Sequence, residues 1–457
     1  MDARSSSHSS TADSPAPKGA TVQRFERGRA LSRRAHELIP GGCHTYAKGD
    51  DQYPEEAPAF IVRGRGCRVW DVDGNEFIEY GMGLRAVTLG HAFEPVVRAA
   101  AEEMTRGSNF TRPSVIEVEY AETLLGIISG ADMVKFAKDG SDTLDAAVRL
   151  ARAYTGRDHI AICGDHPFFS TSDWFIGTTD MSAGIPECVR SRTLKFRYND
   201  IESLRRLFSD YPGQIACVVL EAARTEEPQG DFLVQVQCLC RAEGAVLVFD
   251  EMITGFRWDV RGAQHVYGVV PDLSCWGKAL ANGFSVSALA GRRELMELGG
   301  VRHSRERVFL LSTTHGAETH ALAAALATAR CYQELGVIQV LYERGRRLRQ
   351  GIERITSELK LQDYFGVVSR DVNLLYFTKD ADGKPSQPMR TLFLQELIRR
   401  GIIAPSFVVS YSHTERDIDL TLDAIAEALH VYRRALEEGW EKYLVGRPVK
   451  PVFRRFA

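Results

Sequence analysis

Lysine is scarce in this 457-residue chain: 11 of its 57 basic residues are lysines, and the other 46 are arginines. Few side chains are therefore available to act as an amine nucleophile. Cysteine is too sparse for a disulfide framework, with nine residues, an odd number, spread along the chain. The closest pair, Cys238 and Cys240, has no second pair or histidine at zinc-ligand spacing. We expect reduced thiols and no metal site. No long apolar run occurs. The longest stretch of low charge, Leu273–Gly291, contains Lys278, Asn282 and glycines, so it neither spans a membrane nor continues as one helix. Neither sign of charge dominates: 57 basic and 60 acidic residues give a formal net charge of −3, with no nucleic-acid footprint. The opening MDARSSSHSSTADSPAPKGA lacks the apolar core of a secretory signal. Residues 1–22 are expected to form a disordered leader, and the protein is expected to be cytoplasmic.

What is present reads as a large α/β protein. A basic amphipathic helix is predicted from Arg24 to Leu38, stopped by Pro40-Gly41-Gly42. FIVRG and CRVWDVDGNEFIEY follow as a β-meander, with Asp73-Gly74 as the turn. From Gly81 to Arg330, helical stretches (Glu94–Arg106, Ser114–Ile128, Ser141–Thr155) alternate with short apolar runs (Met133–Ala137, His159–Cys163, Ile215–Leu220, Ala245–Phe249). Continuous apolar strands between helices predict a mainly parallel sheet sandwiched by helices. The last part mixes helices (Val337–Lys360, Met389–Arg400) with a strand at Val372–Phe377, then a helix capped by the box Thr-Glu-Arg-Asp at Thr414. The expected division is a large domain over 81–330 and a small α+β domain built from 23–80 and 331–457.

Three local patterns carry chemistry. Lys278 is the only charged residue between Asp272 and Arg292, in DLSCWGKALANGFSVSALAGR. Small apolar neighbours desolvate an amine and lower its pKa, although a snorkelling lysine gives the same pattern. Asp250 follows the strand-like run AVLVF (Ala245–Phe249), where a carboxylate faces the ligand crevice of an open α/β sheet or is simply a helix cap or a turn aspartate. In FAKDGSDTLDAAVRL, Gly140 and Ser141 open a helix and offer N–H groups and a hydroxyl to a phosphate, as many helix starts do without binding anything. Together, an amine, a carboxylate and a phosphate-type helix start are the parts a pyridoxal phosphate site needs.

From about Leu31 to Leu429 the chain resembles the class-III, fold-type I PLP-dependent aminotransferases, in their glutamate-1-semialdehyde 2,1-aminomutase-like branch. The matching blocks are ELIPGG, VWDVDGNEFIEYGMG with LGHAFEPVVRA, AVRLARAYTGRDHI, FDEMITGFR with GAQHVYGVVPDLSCWGKAL, GIIAPS, and SHTERDIDLTLDA. The resemblance implies that Lys278 is the Schiff-base lysine and Asp250 the partner of the pyridine nitrogen. It implies that Met252 packs against one ring face, where the family usually has valine. His166 stands at the position of the stacking tyrosine, with Phe168 nearby. Gly140 and Ser141 match the phosphate-binding Gly-Thr, and Glu221 the active-site glutamate. Thr313 matches a threonine sent across a homodimer interface to the partner's phosphate.

The chain also departs from the pattern. Lys138-Asp139-Gly140-Ser141-Asp142-Thr143 replaces Asn-Ser-Gly-Thr-Glu-Ala. The added acid Asp139 is expected to point away from a phosphate or to bind substrate. After IPGG, CHTYAK supplies Thr45 and Lys48 where the aminomutase pattern has a serine and an arginine. His44, Lys48 and Arg224 are candidate substrate contacts. The expected activity is amino transfer between an amino donor and a carbonyl acceptor, small molecules both. An aminomutase or a decarboxylase on the same fold is the alternative, and a non-catalytic binding protein a more distant one.

Overall fold

In the computed structural model, which describes residues 25–456, the first helix runs from Glu26 to Leu38 and stops before Pro40, as predicted. The leader proposed for 1–22 lies outside the described residues. Strands β1 (Ile61–Arg65), β2 (Arg68–Asp71) and β3 (Glu76–Glu79) form the antiparallel meander. Its tight turn is held by Asp71, whose Oδ1 accepts from the N–H groups of Asp73 (3.0 Å) and Asn75 (2.8 Å). Gly74 supplies the positive φ, 90°, that the turn requires.

The central sheet contains β4 (Met133–Ala137), β5 (His159–Cys163), β6 (Thr193–Phe196), β7 (Ile215–Leu220), β8 (Val246–Asp250), β9 (Leu273–Trp276) and β10 (Ser287–Gly291). Its order is β4-β10-β9-β8-β7-β5-β6, and only β10 runs antiparallel to its neighbours. Strands β5, β7 and β8 are buried along their whole length, which explains their unbroken apolar sequences. Alternate residues serve opposite layers. Ile160, Ile162, Val219 and Val248 pack with Leu144 and Val148 of the helix Gly140–Thr155. Ala161, Val218, Leu220 and Leu247 pack with Leu204, Phe208, Phe232 and Val236 on the other face.

The stretch Leu273–Gly291, which breaks as a helix in the sequence, is two strands joined through a 3-10 turn at Lys278–Ala281. Beyond it, helices Thr319–Leu335 and Val337–Glu358 are hinged at Gly336 (φ 58°). An antiparallel pair follows, β11 (Phe365–Val368) and β12 (Leu375–Thr378). The strand predicted from Val372 begins only at Leu375, because Asp371–Asn373 turns as a 3-10 helix. After the helix Gln387–Arg399, β13 (Ile402–Ile403) pairs in parallel with β3, so one sheet joins the two ends of the chain. The helix Glu415–Glu438 starts with the predicted box: Thr414 Oγ1 accepts from Asp417 N–H (3.2 Å), and Asp417 Oδ2 accepts from Thr414 N–H (2.9 Å). Among the described residues no helix is long and apolar enough to cross a membrane, and all nine cysteines are free.

Candidate active site

Four neighbouring parallel strands deliver the candidate residues to one rim of the central sheet. Lys278 follows β9, Asp250 ends β8, Glu221 follows β7, and His166 comes shortly after β5. The register fixes their level: Asp250 pairs with Cys275 and Leu220 with Phe249, so the carboxyl ends of β7, β8 and β9 are flush. Ligands of open α/β sheets sit at this end. Asp250 is thus the last residue of β8 rather than the first after it, which commits its side chain to the rim.

Lys278 has a left-handed backbone (φ 47°), a costly conformation for a residue with a side chain. The residue is half-buried, with its amine surrounded by protein. Burial lowers its pKa; Asp250 and Glu221 oppose that shift, and Arg85 and Arg224 add to it. Among the described residues no hydrogen bond or ion pair engages its amine. Asp250 is pushed the other way, upward, chiefly by burial and by the nearby Glu221. Its Oδ1 accepts from Met252 N–H (2.8 Å), which leaves Oδ2 without a protein partner. Glu221 is buried: its Oε1 accepts from Arg224 Nη1 (3.0 Å), while Oε2 has no partner.

His166 is buried, and its Nδ1 accepts from Glu221 N–H (3.1 Å), so Nε2 carries the proton of the neutral ring. Burial depresses its pKa, consistent with that neutral form. Phe168, by contrast, is exposed and packs edge-on against Phe175. Met252 lies between Gly140 and Gly277; a Cβ on either glycine would meet Met252 Sδ, at 3.0 Å and 2.6 Å. Glycine at both positions lets the Met252 side chain pack closely against the backbone.

At the helix start, Asp139 neither points away nor reaches toward a substrate. Its Oδ1 accepts from the N–H groups of Ser141 (2.8 Å) and Asp142 (3.1 Å), making it the N-cap. The charge of Asp139 is visible in the sequence, whereas its capping role depends on the backbone turn before the helix. Ser141 Oγ accepts from Thr171 N–H (3.1 Å). Thr313 is exposed on a loop tied to the same region by the ion pair between Lys138 and Glu318 (2.7 Å). His44 and Lys48 are exposed on the turns after Pro40, and no hydrogen bond or ion pair joins either to the residues around Lys278. Arg224 does enter the cluster. A surface cleft lined by Asp132, Arg292, Glu297 and Arg305 shares no residue with it.

The chain belongs to the class-III aminotransferases: the family model described as aminotransferase class-III matches residues 50–368. It is similar to glutamate-1-semialdehyde 2,1-aminomutase of Sulfurihydrogenibium sp. (strain YO3AOP1), with 30% identity over 425 residues, covering 88% of this chain and 98% of that protein. Among solved structures it is similar to the FumI protein of Sphingopyxis sp. MTA144 in a PLP form, with 29% identity, 90% and 98% of the two chains covered, and a TM-score of 0.81. A transaminase with PLP bound gives 26% identity, 91% and 99% coverage and a TM-score of 0.83. The architecture is fold-type I, and the cofactor is pyridoxal phosphate. The residues present fit that group. An unengaged buried amine, a free carboxylate oxygen on Asp250 and the close cradle of Gly140, Gly277 and Met252 match its aldehyde, ring nitrogen and flat ring.

Proposed function

We propose that the enzyme moves an amino group from an amino donor to a carbonyl acceptor, with Lys278 as the lysine that carries the cofactor and transfers the proton. The flush delivery of Glu221, Asp250 and Lys278 by adjacent strands carries this reading. When bound, pyridoxal phosphate supplies an electrophilic aldehyde and an electron-withdrawing ring. Desolvation lowers the pKa of Lys278 and so favours the uncharged amine, which can accept a proton from a substrate carbon and return it nearby. Asp250 Oδ2 holds a proton on the ring nitrogen. Met252 and His166 flank the ring, and Gly140 with Ser141 receives the phosphate at the helix start. Glu221 holds Arg224 beside the substrate. Thr313, exposed in the single chain, serves the neighbouring site of a homodimer, and the enzyme works in the cytoplasm.

An intramolecular amino shift is the second reading, favoured by the name of the relatives at about 30% identity. The exposure of Lys48 speaks against carboxylate recognition at the CHTYAK turn within one chain. Product analysis separates the two. An aminotransferase turns over only with a carbonyl acceptor added, whereas an aminomutase converts a single substrate without one. Absence of a lysine-dependent visible absorbance after PLP addition would sink both. Light scattering that returned a monomer with cofactor retained would sink the homodimer.

A further inference from the structure

The site contains a cation that neither the sequence motifs nor the reaction above employs. Arg85 ends a turn in which four successive residues have positive φ: Met82 (42°), Gly83 (58°), Leu84 (56°) and Arg85 (74°). Three of these carry side chains, and each is strained there. The surroundings enforce the turn. Arg257, fully buried, donates from Nη2 to the carbonyl of Arg85 (2.6 Å) and to Thr88 Oγ1 (3.0 Å), while its Nη1 holds the carbonyl of Ile253 (3.0 Å). The strain is thus spent on aiming one side chain.

That side chain is held from a distant part of the chain. Arg85 Nε donates to Asn373 Oδ1 (2.7 Å) and Nη2 to Ser406 Oγ (3.2 Å). Both acceptors are buried and uncharged. Nη1 has no partner among the described residues. Guanidinium offers five N–H donors, so the unused ones still present a fork. No carboxylate forms a hydrogen bond or ion pair with Arg85; Glu221, whose Oε1 is engaged by Arg224, attracts it only at longer range. Burial, with Arg224 and Arg257 nearby, pushes the pKa of Arg85 down to about 10 against the opposing pull of Glu221. Its loop is tied to the turn that bears Lys278: Asn282, just after that turn, accepts at Oδ1 from Leu89 N–H (2.9 Å) and donates from Nδ2 to the carbonyl of Gly90 (3.0 Å), and the charge of Arg85 acts on Lys278.

We propose that Arg85 binds a carboxylate of the substrate, so that the preferred amino donor or carbonyl acceptor is an acid, with Asn373 and Ser406 as positioning residues. The assignment rests on the amino-transfer reading and names the substrate class within it. The same segment that supplies Asn373 also steadies Arg224, whose carbonyl accepts from Ser369 Oγ. Residues 369–373 therefore contact both arginines of the cluster.

The test uses the cofactor-loaded protein and pairs of amines that differ only in a carboxyl group, 4-aminobutyrate against propylamine and β-alanine against ethylamine among them. Single-turnover KM and kcat are compared for wild type, Arg85→Gln, Arg85→Lys and Asn373→Ala. Glutarate, which cannot react, is titrated in parallel by the shift it causes in the cofactor's visible spectrum. The expected result is a loss of about 10- to 100-fold in affinity for the acids and for glutarate in Arg85→Gln, the size of one charge-assisted bidentate contact. Affinity for neutral amines and for the cofactor stays within about twofold. Arg85→Lys and Asn373→Ala fall between, and they keep the question answerable if Arg85→Gln fails to fold. Equal losses for acids and neutral amines, a weakened cofactor with unchanged glutarate affinity, or an intact acid preference in Arg85→Gln would each overturn the assignment. If wild type reacts with no amine, the amino-transfer reading fails, and the glutarate titration still decides Arg85.

Discussion

Asp139→Asn is expected to tighten the grip on pyridoxal phosphate. Asparagine caps a helix about as well as aspartate, so the contacts to Ser141 N–H and Asp142 N–H at 2.8 and 3.1 Å survive the exchange. What disappears is one negative charge at the proposed phosphate site. A phosphate oxygen sharing those N–H groups would come within roughly 4 Å of the carboxylate. Two unit charges at that separation repel by about 4 kcal/mol at an effective dielectric of ~20, and by about 1 kcal/mol in water. Asp139 is exposed, so the lower figure governs, raised somewhat because the phosphate carries nearly two charges. About 1–2 kcal/mol corresponds to binding about 5- to 30-fold tighter. The assay is titration of cofactor-stripped protein with PLP, followed by tryptophan quenching at low and at high salt. The gain should shrink at high salt, because exposed charges are screened. Asp139→Ala separates charge from cap: it loses about 1 kcal/mol of helix stability and melts earlier. An unchanged or weaker Kd in Asp139→Asn, with an unchanged melting curve, would refute phosphate binding at this helix start.

Lys278→Ala should lose the visible absorbance of the lysine-linked cofactor and slow the amine half-reaction by at least ~1,000-fold, read in stopped flow. The buried His413, whose Nδ1 accepts from Ser410 N–H (2.9 Å), is held by burial at about 4. An unfolded histidine titrates near 6.5 (roughly). As pH falls between those values the unfolded chain takes up the proton first. Stability that is complete above about 6.5 is therefore lost on the way to about 4, by up to ~3 kcal/mol. Urea midpoints across that range should fall less steeply in His413→Gln than in wild type; parallel profiles would contradict the assignment. Thr414→Ala removes the hydroxyl half of the capping box and should cost about 1 kcal/mol, with catalysis unchanged, measured by urea unfolding.

The parts of the fold legible in the sequence were those where one short segment determines its own environment. VLVFD announces a buried strand and its exit into a crevice, because continuous apolar residues need cover on both faces and the aspartate cannot share it. GSDTLDAAVRLARAYT announces its helix by period, and Thr414 its helix by the capping box. Lys278 stood out through isolation, the one charge in a long neutral stretch. The strands around it did not. LSCW and SALAG contain small residues with little β preference, and only pairing with β8 and β4 makes them strands. Asp139 shows a different limit: its charge is visible in the sequence, whereas its use as a cap depends on one backbone turn. Arg85 lies furthest from reach. It sits in a loop with no periodicity, and its partners Asn373 and Ser406 are 288 and 321 residues away. A reading by motif finds the residues that any enzyme of this chemistry needs, since the cofactor imposes them. Those that choose the substrate answer to no such common demand. They are assembled from loops that meet only when the two ends of the chain fold together, as β3 and β13 do beside this site.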